Sequence, residues 1–260
     1  MNKYLFLFKG QLQILIEYRW NFLNLPLYKF VQFFVYFSIW KVISGGDIEQ
    51  EKRLFLYYFL MFMIFHSFHS GKSAKKISDA ISSGELNQFL IKPINFVLTK
   101  IIESFAPVFS RVVIPILLLM IGIIVFPSLF TPYSLSAFLI SIVLCVVSVV
   151  TWNIINVLIG LLSFWVVEIG FLSTVIDLVL NLFKGAWIPF FLFPSRLVSF
   201  LNLTPIPYIA AWPIDVYQNG FDINQLFIGF VVCMFWIMLG LLLSQILYNK
   251  GLIRYEGYGG

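Results

Sequence analysis

Between positions 112 and 167 the chain runs for 56 residues without a single Lys, Arg, Asp or Glu. No water-facing surface can be built from such a run. A helix crosses about 30 Å of hydrocarbon with about 20 residues, so the run is too long for one crossing and suits two. Pro127 and Pro132 mark the hairpin between them. The remainder agrees, with 60% hydrophobic and only 11% charged residues and a mean hydropathy of +0.94. A soluble domain carries about 25% charged residues, so a soluble fold is excluded.

The same reading along the chain places six membrane spans at about 25–43, 54–68, 105–126, 135–158, 165–183 and 225–248. Residues 1–24 alternate apolar Leu5, Phe8, Leu12, Leu15 and Ile16 with Lys3, Lys9, Glu17 and Arg19. That is an amphipathic helix lying at the interface, ended or turned by Pro26. The opening YLFLF is too short for a secretory signal and no small-residue cleavage site follows, so the N-terminus is expected to be retained. Residues 71–100 form the long polar stretch between spans two and three. Ile77, Ala80 and Ile81 recur there at helical spacing, Gly84 marks a stop and Pro93 opens the approach to the next helix. A short helix, a break and a second short piece are expected.

Five of the eleven prolines, Pro189, Pro194, Pro205, Pro207 and Pro213, fall within the apolar stretch 187–213. No continuous helix runs through them. Irregular backbone at membrane depth survives only against protein or a water-filled cavity, so 185–215 reads as an extracytoplasmic re-entrant pair of half-helices. The expected fold is an all-α integral membrane protein. It has an N-terminal interfacial helix, six transmembrane helices and a re-entrant segment between spans five and six, in one domain over 1–260.

The net charge of +5 brings no nucleic-acid motif with it, because the basic residues are spread over span ends. They read as a topology signal. Lys3, Lys9, Arg19, Lys72, Lys75, Lys76, Lys92, Lys100, Lys250 and Arg254 fall on one side. Lys41, Lys52, Arg53, Lys184 and Arg196 fall on the other, with Lys29 and Arg111 at span edges. The positive-inside rule then makes both termini and the 71–100 loop cytoplasmic.

Few residues suggest chemistry. The SGKS at 70–73 lacks the first glycine of a phosphate loop, which would stand where His66 is, and it follows a membrane helix instead of a strand. His66 and His69 have no acidic or thiol ligand near them in sequence, and no catalytic residue, metal site or bound cofactor is expected. Cys145 and Cys233 lie in apolar runs with no pairing pattern. The sequon at 202–204 is followed by Pro205 in apolar surroundings and reads as chance. Arg111, Glu168, Asp177 and Lys184 are ionisable groups in or near spans three and five, and intramembrane charge marks a functional candidate as well as an interface pair. Asp177 and Lys184 are spaced to share Asn181 on one helix face. Asn153 and Asn156 in span four suit helix packing or substrate contact. With Pro189 and Pro194 these supply the gate and pathway candidates.

The loop ISSGELNQFLIKPINF at 81–96, GAWIPFFLFP at 185–194, PIPY at 205–208 and the terminal GLIRYEGYGG together resemble the ABC-2 type transporter permeases, over essentially the whole chain. The resemblance is narrower to a branch of about 260-residue permeases of uncharacterised transport systems. It implies a permease subunit, not itself an enzyme, of an exporter in a prokaryotic cytoplasmic membrane. Two copies of a separate cytoplasmic ATPase would bind ATP and Mg, and a second copy of the chain or a related permease would complete the pathway. The coupling helix would map to about 72–90, with Lys75, Lys76, Ile77, Ala80, Ile81, Gly84, Glu85 and Leu86 as contact residues. An apolar face of Ile77, Ala80 and Ile81 would enter the partner's groove inside a polar rim of Lys75, Lys76, Asp79 and Glu85. The 187–213 segment would form the outer gate. Two other classes stand beside this one: an ATPase-independent secondary transporter or channel subunit, and a membrane scaffold or lipid-directed enzyme.

Overall fold

The computed structural model describes residues 21–66, 73–91, 94–166 and 169–255, with the backbone alone described at 21–27, 106, 107, 109–112 and 114. Most of the expected interfacial helix, Ser70 to Lys72 of the SGKS run, His69, Pro93, Glu168 and the last five residues lie outside that set, as does the side chain of Arg111. Among the described residues no strand occurs. In an apolar medium helices satisfy their own N–H and C=O groups, so this is the form an apolar chain takes.

Helix α1, Asn21–Ile43, passes through Pro26 instead of ending there. Proline removes one hydrogen bond, which is tolerated where no water competes for the rest. Gly45 and Gly46, at φ of +67° and +89°, then reverse the chain in a left-handed conformation that suits glycine. Asp47 caps α2, Ile48–Phe59, through its carboxylate on the N–H groups of Glu49 and Gln50. Glu49 and Glu51 complement the dipole of the first turn. This cap starts the helix six residues before the expected Leu54, so the charged run is helix instead of loop. Lys41–Glu51 at 3.2 Å and Lys52–Glu49 at 2.8 Å are ion pairs there. The helix widens into a π-helix over Leu60–Phe65, all six residues buried. Phe33 meets Phe55 and Phe59 edge-on at 5.1 and 6.2 Å and so locks α1 to α2.

Two short helices follow, α3 (Ser73–Ser82) and α4 (Leu86–Leu90), separated by Gly84 at φ +80° as the expected stop. Helix α5, Phe96–Val125, is capped by the Asn95 side chain on Leu98 N–H at 3.0 Å and runs through Pro107 and Pro115. A one-turn helix α6, Pro127–Phe130, makes the corner. Helix α7, Leu135–Leu161, follows, capped by Ser134. Helix α8 is Ile169–Phe183, only 15 residues where 165–183 was expected. At 1.5 Å per residue it covers about 22 Å, short of a hydrocarbon core of about 30 Å.

Gly185 at φ +92° ends α8. The chain then breaks up as the prolines require: a 3-10 turn over Phe190–Leu192, α9 (Ser195–Leu201), α10 (Ile206–Ile209) and α11 (Ala211–Asn219). Pro194 and Pro205 stand immediately before α9 and α10 and Pro213 lies in the first turn of α11, positions where a missing N–H costs nothing. Helix α12, Ile223–Arg254, begins at Asp222, whose carboxylate accepts from Asn224 and Gln225 N–H at 2.9 and 3.0 Å. Among the described residues the two stretches long and apolar enough by composition to cross a bilayer are Leu135–Phe164 and Ile223–Arg254.

Helix α7 is the axis of the bundle, touching α3 near one end and α10, α11 and α12 along its length. Small residues allow this. A Cβ on Gly160 would stand 2.8 Å from Ile77 Cβ, and Gly240 of α12 leaves room for Ile154. Close backbone approach at small residues is how helices associate where the hydrophobic effect is weak.

Candidate functional site

Three places carry polar groups that an apolar bundle does not need. The first is the end where α3 and α4 sit. Ile77 and Ala80 are each 1% exposed, Ile81 is 6% and Leu86 is fully buried. They pack with Phe96, Val97, Val157 and Leu161 of the same chain. Ile77, Ala80 and Ile81, expected to face a partner, are covered in this chain by α5 and α7, because an amphipathic helix lying on its own bundle turns its apolar face to the nearest apolar surface. Lys75, Lys76 and Asp79 face outward, Gly84 is half-exposed, and Leu90 and Ile91 are exposed apolar residues at the far end of α4. Glu85 reaches Lys100 at 3.7 Å, and Lys100 is held further by Glu103 at 3.2 Å and by the rings of Phe89 and Phe96. This nearly buried lysine pins α4 onto α5.

The second place is the middle of the bundle. Lys29 Nζ and His66 Nδ1 lie 3.0 Å apart, joining α1 to the end of the π-helix. Lys184, expected at the outer interface, is 2% exposed, with Nζ 4.8 Å from the centre of the Trp152 ring. Asp177 and Lys29 both lie within its electrostatic range. No carboxylate comes within 4 Å of it among the described residues. The expected sharing of Asn181 by Asp177 and Lys184 does not form. Its backbone carbonyl accepts from Ala186 and Trp187 N–H as the helix closes, and its side-chain oxygen is buried with no hydrogen-bond partner among the described residues. Asn153 Nδ2 is likewise buried and unpartnered there, whereas Asn156 donates to Trp152 O at 3.0 Å. So Asn156 serves its own helix, and Asn153 and Asn181 keep unused polar capacity. An unsatisfied buried amide costs about 1–3 kcal/mol, which singles these two out.

The third place is the broken segment after α8, and sequence reasoning missed the residues that hold it. Trp40 Nε1 donates to Trp187 O at 2.9 Å, and the Tyr58 hydroxyl donates to the same oxygen at 3.1 Å. The Tyr57 hydroxyl donates to Gly185 O at 2.9 Å and accepts from Phe190 N–H at 3.3 Å. Farther on, the Ser148 hydroxyl of α7 donates to Ile209 O, and Trp236 of α12 donates to Leu203 O at 2.8 Å. Each of these closes a carbonyl that the prolines and Gly185 leave without a helical partner. The signal was available: tyrosine and tryptophan donors stand in apolar helices beside a segment whose backbone has to be satisfied from elsewhere. Pro189 is buried before the 3-10 turn, and Pro194 is exposed before α9.

Both cysteines are free thiols. No group of three His, Cys, Asp or Glu that could hold a metal occurs among the described residues. A family model described as ABC-2 family transporter protein matches residues 23–259. Neither a curated protein nor a solved structure matches the chain.

Proposed function

The chain belongs to the ABC-2 transporter family and is a membrane permease of an ABC transporter; on that premise we propose that it is one half of an export pathway driven by a separate ATPase. Six spans are read as α1, α2 with its π-helical continuation, α5, α7, α8 and α12, where the short α8 crosses part of the core and the 185–219 stretch, re-entering from the outer side, fills the remainder. Both termini and α3–α4 face the cytoplasm of a prokaryotic cell in this reading. Two ATPase subunits carry the ATP and Mg, and a second copy or a related permease supplies the other half.

The observation that carries the reading is the seating of α3 on α7 at Gly160. Helix α7 continues from there to Ser148, which holds the irregular segment at Ile209. A partner pressing on α3 would thus act on one stiff helix whose other half holds the proposed gate. The surface offered to that partner is Lys75, Lys76 and Asp79 with exposed Leu90 and Ile91, while Ile77, Ala80, Ile81 and Leu86 set the position of that surface from beneath.

Affinity purification of the tagged chain from native membranes under mild extraction is the direct test. A nucleotide-binding ATPase in the eluate at about one per permease is expected, and reproducible absence of any ATPase would turn the assignment to an ATPase-independent transporter or channel. Lys75→Glu combined with Lys76→Glu is expected to cut ATPase recovery at least tenfold while the permease extracts and melts as before; unchanged recovery would move the docking surface elsewhere. For the topology, single cysteines replacing Glu49 and Lys75 in a chain lacking Cys145 and Cys233 are expected to react with an impermeant maleimide from opposite sides. Reaction from one side overturns the six-span arrangement.

A further inference from the structure

We propose that the space enclosed by α9, α10, α11 and the first half of α12 is a binding site for a lipophilic cation, a largely apolar molecule bearing one positive charge. This deepens the export reading by naming the class of cargo and rests on it for that role, though not for the binding itself. The cavity has a volume of about 610 Å³ and is walled by Tyr57, Phe191, Tyr208, Trp212 and aliphatic side chains of α9 and α12. Among the described residues one ionisable carboxylate opens into it, that of Asp215 in the middle of α11, and no Lys, Arg or His lines it. Asn219 donates to Asp215 Oδ1 at 2.5 Å, a neutral partner that leaves the charge uncompensated. No basic group lies within 4 Å of that carboxylate among the described residues.

The rings around it are packed in place and the two tyrosine hydroxyls among them are already used. The Tyr57 hydroxyl is engaged with Gly185 O, and the Tyr208 hydroxyl donates to Asn202 O at 2.8 Å, so what they offer a ligand is ring surface. Trp212 stands edge-on to Tyr208 at 4.9 Å and is seated in the notch left by Gly229, where a Cβ would come 2.5 Å from the indole. Phe191 already takes a cation on its ring, the Arg53 guanidinium at 4.2 Å. Electron-rich faces around a lone carboxylate attract a cation and repel an anion of the same shape, each cation–π contact contributing about 0.5–2 kcal/mol. A second cavity of about 590 Å³ shares Phe191 and Gln218 with the first and is lined by Asp47, Glu49, Lys52 and Arg53. It gives the apolar site a polar mouth at the ends of α2 and α11.

The test uses the permease alone in phosphatidylglycerol nanodiscs, with empty discs subtracted, and two probes of nearly equal shape and opposite charge, tetraphenylphosphonium and tetraphenylborate. Saturable binding of the phosphonium and none of the borate is expected. Asp215→Asn is expected to weaken the phosphonium about tenfold, the equivalent of 1.4 kcal/mol, and Asp215→Glu to retain most of it. Val232→Trp, which fills the cavity and leaves the carboxylate in place, is expected to abolish binding. Discs in which half the lipid is phosphatidylethanolamine, compared with discs in which that half is an uncharged glycolipid so that the surface charge is equal, separate two sources of the same chemistry: weaker phosphonium binding in the former identifies a lipid ammonium headgroup as occupant, and equal binding a free lipophilic cation. Equal binding of the borate, or undiminished phosphonium binding by Asp215→Asn, overturns the site. Those results would leave the ATPase partnership standing, just as an absent ATPase would leave the binding data standing.

Discussion

Gly160→Leu is expected to leave α7 and the rest of the bundle folded but to displace α3, so that ATPase recovery and transport are both lost. The added Cβ alone would stand 2.8 Å from Ile77 Cβ and 2.9 Å from the Ala74 carbonyl oxygen. One of those obstacles is backbone, which no rotamer change can move aside. Forcing extra methylenes into a packed contact costs about 1–3 kcal/mol, and here the strain is concentrated on a ten-residue helix. Gly170→Leu on α8 is the matched control, because nothing lies within 4 Å of a Cβ there. The measurement is ATPase co-purification together with the melting temperature of each variant. Normal partner recovery by Gly160→Leu would show that the seat of α3 does not matter for docking.

Lys184→Met is expected to separate stability from function in the opposite way, raising the melting temperature while abolishing transport. The ammonium is 2% exposed and faces the Trp152 ring at 4.8 Å, with no carboxylate within 4 Å among the described residues. Replacing a poorly compensated buried charge by an apolar chain of similar volume stabilises by about 1–4 kcal/mol in comparable cases. Met keeps the contact with Trp152 and removes the desolvation. A charge retained at such a cost inside an apolar bundle is a working group by default. A lower melting temperature in Lys184→Met would instead make the lysine a structural tie, and transport at the normal rate would remove it from the pathway.

The punctuation of the chain was legible. Gly84 stops α3 as expected, the prolines break 187–213 into short pieces, and the polar 71–100 stretch holds two short helices, because each of these depends on local backbone chemistry. What depends on tertiary contact was not legible. The periodicity of Ile77, Ala80 and Ile81 gives α3 an apolar face but cannot say whether a partner or α7 covers it, and only Gly160 decides that. Lys184 counted as an interfacial charge when judged by position, yet the chain turns inward at Gly185, right after α8 ends where expected, and leaves it buried against Trp152. The run 47–53 fell outside the expected spans, whereas the Asp47 carboxylate begins α2 there. Tyr57, Tyr58 and Trp40 pass in sequence for aromatics of an apolar helix, and their task emerges only once the carbonyls of Gly185 and Trp187 are seen to need donors.

In the proposed coupling, α3 keeps its apolar residues against its own bundle, so the order of assembly would be free. A permease whose docking surface is Lys75, Lys76 and Asp79, with Leu90 and Ile91 as its small apolar part, could be inserted and stored before any ATPase is made. Recognition then begins with hydrated charges, which act over about 8 Å at physiological ionic strength and over about 3 Å in molar salt. If that coupling holds, the complex should form quickly and survive extraction in dilute buffer, while a concentrated salt wash should strip the ATPase and leave an intact, idle permease in the membrane.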